Sequence, residues 1–445
     1  MPGVGLVFPY VRTRARNEIL FPPLGIAALA SQLRLRGIET HVYDCTFRDL
    51  AWLRGELERT RPSVVGISAM VSLSAATAEV AAMVRRLLPD SLLVAGGPLP
   101  SVFPRRFTPL VDAVFRGEAD LSFPTFCAEY LQRGATRTAL SNLDLGSYAG
   151  LVIDAAGLRV DNPPMHHSEA ELAAFPPPDR SDFDHAAYQL AWRQQGEMRP
   201  TSIITTFGCP FSCEFCSKPV FGSEVRRRSL TTVIAEIDEI ARLGYDALRI
   251  ADDLFTLNAR YVKEFCERMT GRGMSWSCLA RADRADAALA AMMKRAGCRR
   301  VYLGLESGCQ STLDLMQKRL RVEDAARATR IYGAAGIDVA AFFIVGYPGE
   351  DPAAIEQTFA LALELPLDEI SFNVPMPLPG SALYERLGAP DEGRDWRHEN
   401  EVTFVYDSEI DERWLRRRID ETLAAFDAAR AARRRHPAAA GGAGR

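Results

Sequence analysis

Residues 205–222 read TTFGCPFSCEFCSKPVFG, with thiols at Cys209, Cys213 and Cys216 in a CxxxCxxC spacing. The stretch runs straight on from SIITTF (202–207), an apolar, β-branched run that predicts a strand. The three thiols are therefore expected on the loop at that strand's carboxyl end. Outward from it, ALRIAD (247–252), WSCLAR (276–281), RVYLGLE (300–306), VAAFFIVG (339–346) and EISFNVP (369–375) predict further strands. Helical stretches such as TTVIAEIDEIARLG (231–244) and DAALAAMMKRAG (286–297) separate them. Six consecutive βα units of this kind fit a partial barrel better than a second open sheet.

Upstream, residues 1–140 also alternate. VGLVF (4–8) suits a buried parallel strand. PPLGIAALASQLRLRG (22–37) carries apolar residues at helical spacing, with Pro at its start and Gly37 as a C-cap. THVYDC, SVVGISAM, LLVAGG and DAVFRGE add four strand candidates, and AATAEVAAMVRRLLP (75–89) is a second amphipathic helix. Five strands interleaved with helices predict a doubly wound, Rossmann-like parallel sheet whose ligand sits beyond the strands' carboxyl ends. Gly3 and Gly5 lie before and within the first strand rather than after it, which speaks against a dinucleotide loop. Residues 141–198 are expected to be a connector with a short hairpin at 151–160 and a Pro- and Asp-rich linker, FPPPDRSDFDHAAY (175–188). The barrel then takes 199–385. Residues 386–445 form a helical extension that ends in a basic, disordered tail. The fold class is α/β throughout.

The chain has 445 residues, 47% hydrophobic and 25% charged, with a formal charge of −4. That composition excludes a disordered protein and argues against a broad nucleic-acid surface. No apolar run is long enough for a membrane span, and the start lacks the pattern of a secretory signal, so a cytoplasmic protein is expected. Nine scattered cysteines do not make a disulfide scaffold.

Three thiolates on one loop can converge on one metal centre, leaving a fourth position open on an iron–sulfur cluster. Zinc is the alternative, given a fourth ligand, although no second Cys or His pair lies nearby. The motif, with Phe215 before the last cysteine, resembles the signature of the radical S-adenosylmethionine (SAM) superfamily. Segments 249–258, 278–286, 304–316, 342–351 and 372–381 carry the same resemblance. It implies a [4Fe-4S] cluster held by Cys209, Cys213 and Cys216, whose open iron chelates SAM for reductive cleavage to a 5′-deoxyadenosyl radical. It further implies Phe215 beside the adenine, Glu306 on the ribose, and Asp252 or Asp253 near the SAM amino group or substrate. Arg281 would meet the SAM carboxylate, and the Gly346 turn would line the adenine pocket. No catalytic acid or base is assigned. Glu214 and Glu118 are carboxylates placed to meet a cationic substrate, with a solvated loop position as the other reading of Glu214.

The N-terminal part is similar to the cobalamin-binding domain found in one branch of that superfamily, which allows cobalamin as a further cofactor. There is no Asp-x-His-x-x-Gly after the first strand, and His41 lies before the second, so a histidine-ligated cobalt is not expected. The remaining cysteines, Cys266, Cys278, Cys298 and Cys309 among them, read as core residues, which leaves one cluster per chain. The partners expected are a small-molecule substrate and an external one-electron donor such as flavodoxin or ferredoxin, or a dedicated reductase. No nucleic acid or membrane is expected. The resemblance implies that methylating members carry a substantial extra domain after the barrel, whereas about 60 residues follow it here, so radical dehydration of a sugar-like specialised metabolite, as in antibiotic biosynthesis, is the first expectation. Cobalamin-dependent C-methylation is the alternative, and a non-catalytic iron–sulfur or zinc protein the remote third.

Overall fold

The computed structural model describes residues 3–11, 19–155, 157–196, 198–388, 404 and 406–435. The disordered tail expected after the last helix lies outside them. The chain divides into two compact units, one built around Met1–Cys209 and Lys218–Leu248, the other around Pro210–Ser217, Arg249–Glu392 and Glu399–Arg445.

The first unit opens with β1 (Val4–Phe8), β2 (Thr40–Asp44), β3 (Val64–Ser68), β4 (Leu92–Gly96) and β5 (Ala113–Phe115). Their continuous apolar runs are buried on both faces, as parallel strands covered by helices require. Val4 faces Thr40 on one side and Val64 on the other, so β1 is central and the chain reverses direction across the sheet after β2. One face packs against helices Leu24–Leu35 and Ser122–Gln132 around Leu6, Ile26, Val94 and Phe126. The other packs against Leu50–Thr60 and Ser74–Leu87 around Val7, Leu57, Ile67 and Val84.

The hairpin at 151–160 is β6 (Leu151–Ala155) and β7 (Leu158–Asp161), and it is not a free connector. It adds two antiparallel strands to β5, giving the order β2-β1-β3-β4-β5-β6-β7. The Pro- and Asp-rich stretch that follows is likewise anchored. Asp179 and Asp182 each accept from Arg34 at 2.6 Å. The buried Arg180 donates to the Ser202 carbonyl and pairs with Glu236. Asp184 caps a helix, His185–Gln194, in the part read as linker.

SIITTF divides into β8 (Pro200–Ile203) and β9 (Thr206–Phe207), and β9 pairs with β10 (Arg226–Arg227) in a small antiparallel ribbon. The barrel-type sheet continues through β11 (Ala247–Ile250), β12 (Ser275–Ala280), β13 (Cys298–Glu306), β14 (Asp338–Ile344) and β15 (Glu369–Asn373), in the order β15-β14-β13-β12-β11-β8. The pairs from β12 to β15 are parallel.

In the second unit the basic C-terminal helix, Glu412–Arg435, is less solvated than its charge suggests. Leu415 and Ile419 pack with Val345, Ile355 and Phe359. Arg418 binds Glu356 through two 2.7 Å contacts, and Arg430 and Arg433 donate to the carbonyls of Asp368 and Leu367. Its arginines fasten a helix to the barrel.

Candidate functional site

Between β9 and β10 the chain has no helix or strand, and this irregular stretch carries the three thiols. Cys209 and Cys213 are half-buried and Cys216 is exposed. Among the described residues no group of three or more His, Cys, Asp or Glu is gathered closely enough to hold a metal ion.

Glu214, between two of the cysteines, is not a solvated loop residue. It is 7% exposed, and its oxygens accept from Tyr347 Oη at 2.6 Å and Arg386 Nε at 2.7 Å. Its backbone donates to Met316 and accepts from Leu383, both at 2.9 Å. Burial alone would push its carboxyl up, but Arg386 and Tyr347 hold it below the ordinary range. Phe215, the next residue, packs beside Met316, Ile344, Tyr347 and Leu383. The loop is thus clamped at its middle.

Glu306 closes β13 in a left-handed conformation (φ 63°), at a register shift between β13 and β14. A non-glycine residue held there is strained, a feature concentrated at functional positions. Its carboxylate accepts from Lys318 Nζ at 2.6 Å, and both groups are nearly buried. The same ammonium stands 5.8 Å from the Phe215 ring.

Arg281 is just as buried. Nε bonds Asp283, Nη2 reaches the carbonyls of Lys318 and Arg319, and the guanidinium lies 3.8 Å over Phe211. It therefore supports the Lys318 turn. Asp252 is 1% exposed, while Asp253 is exposed on the same loop after β11. Gly346 has a positive φ (79°), its N–H donates to Glu350, and its carbonyl accepts from Tyr406. A Cβ there would meet the Phe404 ring at 2.7 Å, so the C-terminal segment covers the Gly346 turn.

In the first unit a cavity of about 430 Å³ opens at the carboxyl ends of β1, β3, β4 and β5. Leu6, Ile67, Val94 and Phe123 make its apolar floor, and Glu118, Asp120 and His167 its polar side. It sits where the strand order reverses, the expected ligand position of a doubly wound sheet. Gly97, at its edge, has φ 108°, and a Cβ there would fall 2.6 Å from the Ala69 carbonyl oxygen. Only glycine lets the backbone fold this tightly beside the opening. Glu118 is not turned to solvent either. It pairs with Arg226 at 2.6 Å and accepts from the His167 backbone, contacts that hold its carboxyl low against the upward push of burial.

Residues 203–362 match the radical SAM superfamily, and residues 15–126 match the B12 binding domain. Residues 203–362 are a radical SAM domain. The N-terminal domain is a B12-binding domain, and the cofactors of this pairing are a [4Fe-4S] cluster, SAM and cobalamin. Among relatives it is similar to the uncharacterized methyltransferase PH0819 of Pyrococcus horikoshii, at 29% identity over 82% of this chain and 78% of the relative. It is 26% identical to the anaerobic magnesium-protoporphyrin IX monomethyl ester cyclase of Rubrivivax gelatinosus, over 86% of this chain and 69% of the other. Its fold is shared with the radical SAM methyltransferase TsrM from Kitasatospora setae, at TM-score 0.72 and 19% identity, covering 87% of this chain and 78% of that one.

In this radical SAM chain, the sequence did not point to the Glu214 clamp, to Lys318 or to His167. The partners of Glu214 are 133 and 172 residues away in sequence, and no local pattern marks them. Lys318 had a weaker signal: a lysine twelve residues after a glutamate at a strand end. Cys266, Cys278, Cys298 and Cys309 are all buried, and burial pushes the Cys266 thiol up to about 12.

Proposed function

We propose that this protein is a cobalamin-dependent radical SAM C-methyltransferase acting on a small molecule, with an external one-electron donor. The observation that carries this reading is the cavity at the switch point of a domain matching the B12-binding family. Apolar walls, a tight glycine edge and a width set by β1, β3, β4 and β5 suit part of a large, mostly apolar macrocycle and its appendages. Dehydration, the first expectation from the sequence, gains no support from the relatives, two of which carry methyltransferase names in this comparison.

In this reading Cys209, Cys213 and Cys216 hold the cluster by three thiolates, a donor set suited to iron–sulfur rather than to a hard cation. When bound, the cluster delivers the electron that cleaves SAM, and the corrinoid carries a methyl group from a second SAM to substrate. The protein's own side chains bind and orient. Phe215 offers a flat apolar face, Glu306 and Lys318 a paired acid and base for the polar parts of SAM, and Asp252 or Asp253 a carboxylate at the strand end. Arg281 acts through Lys318 and Arg319 as a positioning residue. Glu214 fixes the middle of the cysteine loop.

The test needs no substrate. Protein reconstituted with iron, sulfide and hydroxocobalamin is reduced with titanium(III) citrate and given SAM. We expect S-adenosylhomocysteine at up to one equivalent per bound corrinoid, together with slow formation of 5′-deoxyadenosine. If 5′-deoxyadenosine accumulates while no S-adenosylhomocysteine forms on corrinoid-loaded protein, methyl transfer is the wrong reading. Changing Cys209, Cys213 and Cys216 together to Ala should abolish the cluster absorbance and 5′-deoxyadenosine formation.

A further inference from the structure

His167 lies in the connector after β7 and forms part of the wall of the first unit's cavity. It is 1% exposed, and neither ring nitrogen has a hydrogen-bond partner. The nearest acid is Asp120, whose Oδ2 stands 3.7 Å from Nε2, beyond hydrogen-bonding reach. A neutral imidazole carries one donor and one acceptor, and burying either without a partner costs about 1–3 kcal/mol.

Nothing in the surrounding packing relieves that cost, yet the ring is held firmly. The His167 backbone N–H donates to Glu118 at 2.9 Å and its carbonyl accepts from Arg226 at 3.1 Å. Phe175 meets the ring edge-on at 5.0 Å. The other charged residues of the wall are already engaged. Glu118 serves Arg226 and His166, and Arg228 serves Glu236 and the Ile204 carbonyl. A rigid, buried imidazole with unused nitrogens in the wall of a mostly apolar cavity is a place where a ligand completes the hydrogen bonding.

We infer that His167 is a direct contact of the corrinoid, its ring nitrogen taking a partner that the bound cofactor supplies. Corrinoids present such partners in the cobalt ion, the peripheral amides and the nucleotide phosphate. Asp120 is placed to accept from the opposite nitrogen after a small movement, the arrangement by which a carboxylate orients a ligating or hydrogen-bonding histidine. This inference rests on the cobalamin reading above.

The experiment compares the cluster-reconstituted full chain with its His167→Gln and His167→Phe variants. Two probes are used: hydroxocobalamin, and cobinamide, which lacks the nucleotide. Affinity is read by visible absorbance, and the Co(II) forms by electron paramagnetic resonance. We expect His167→Phe to weaken hydroxocobalamin binding roughly tenfold or more, the scale of one buried hydrogen bond. His167→Gln, which keeps polar atoms and similar bulk, should lose less. A nitrogen triplet in cobinamide-loaded wild type that vanishes in both variants identifies cobalt as the partner. Weakened binding without such a triplet identifies the periphery, and the phosphate if only hydroxocobalamin is affected. Affinities within twofold of wild type with unchanged spectra, in variants that retain their cluster, overturn the inference. Wild type that binds neither probe overturns the cobalamin reading itself, a result distinguishable without any variant.

Discussion

At the scale of single residues, the site is governed by where buried charges find partners. Arg386 and Tyr347 both serve Glu214, but unequally. Removing Arg386 leaves a carboxylate buried beside one phenol, whereas removing the Tyr347 hydroxyl leaves the ion pair intact. Because Arg386 is itself 40% exposed, Arg386→Ala should cost about 1–2 kcal/mol and Tyr347→Phe about 1 or less, read as a fall in thermal midpoint. Iron bound per chain after reconstitution should fall in the same order. Equal and negligible losses would mean that the clamp does not hold the loop. The cysteines stood out because three thiols on one loop declare themselves by spacing. Glu214 was not, since its role depends on residues brought to it by the fold. Arg281 is similar: a guanidinium at a strand end reads as an anion receptor, and no local pattern shows that it also packs over Phe211 and donates to two backbone carbonyls.

At the scale of elements, alternation of apolar strands and amphipathic helices revealed nearly every strand of both sheets, with ends within a few residues. The misreadings fall where local composition and tertiary contact disagree. SIITTF reads as one β-branched strand, yet it breaks so that β9 can pair with Arg226 and Arg227. The stretch 175–188 has linker composition, but its aspartates exist to meet Arg34. The C-terminal helix is arginine-rich because several of those arginines tie it down. Leu415, fully buried under it, should cost about 2–5 kcal/mol when changed to Ala. Denaturant unfolding checks this, and a loss below 1 kcal/mol would mean the helix does not complete the barrel's core.

The turn after β14 carries its own pH dependence. Glu350 is buried against Thr312 and the Gly346 and Tyr347 amides, and burial raises its carboxyl to about 7. A folded-state value above the unfolded 4.5 means that the native state binds the proton more tightly. Stability from this group is thus complete below about pH 4.5 and is lost as pH rises through about 7. Glu350→Gln should flatten the decline in stability between pH 5 and pH 8, as seen in thermal midpoints across that range. A decline as steep as in the unmutated protein would assign it to other groups.

At the scale of the whole molecule, the proposed chemistry draws on two places: the cysteine loop for cluster and SAM, and the switch-point cavity for the corrinoid. The sequence made the first plain and left the second open, because a cavity lined by Leu6, Ile67, Val94 and Phe123 has no motif. Apolar walls built from four strands and a connector are a property of the fold. No helix among the described residues is long and apolar enough to cross a membrane. Corrinoid content is the most direct test of the cobalamin reading. Anaerobic reconstitution with hydroxocobalamin, followed by gel filtration and visible absorbance per [4Fe-4S] cluster, should give close to one corrinoid per chain. A value near zero on protein with an intact cluster would contradict it.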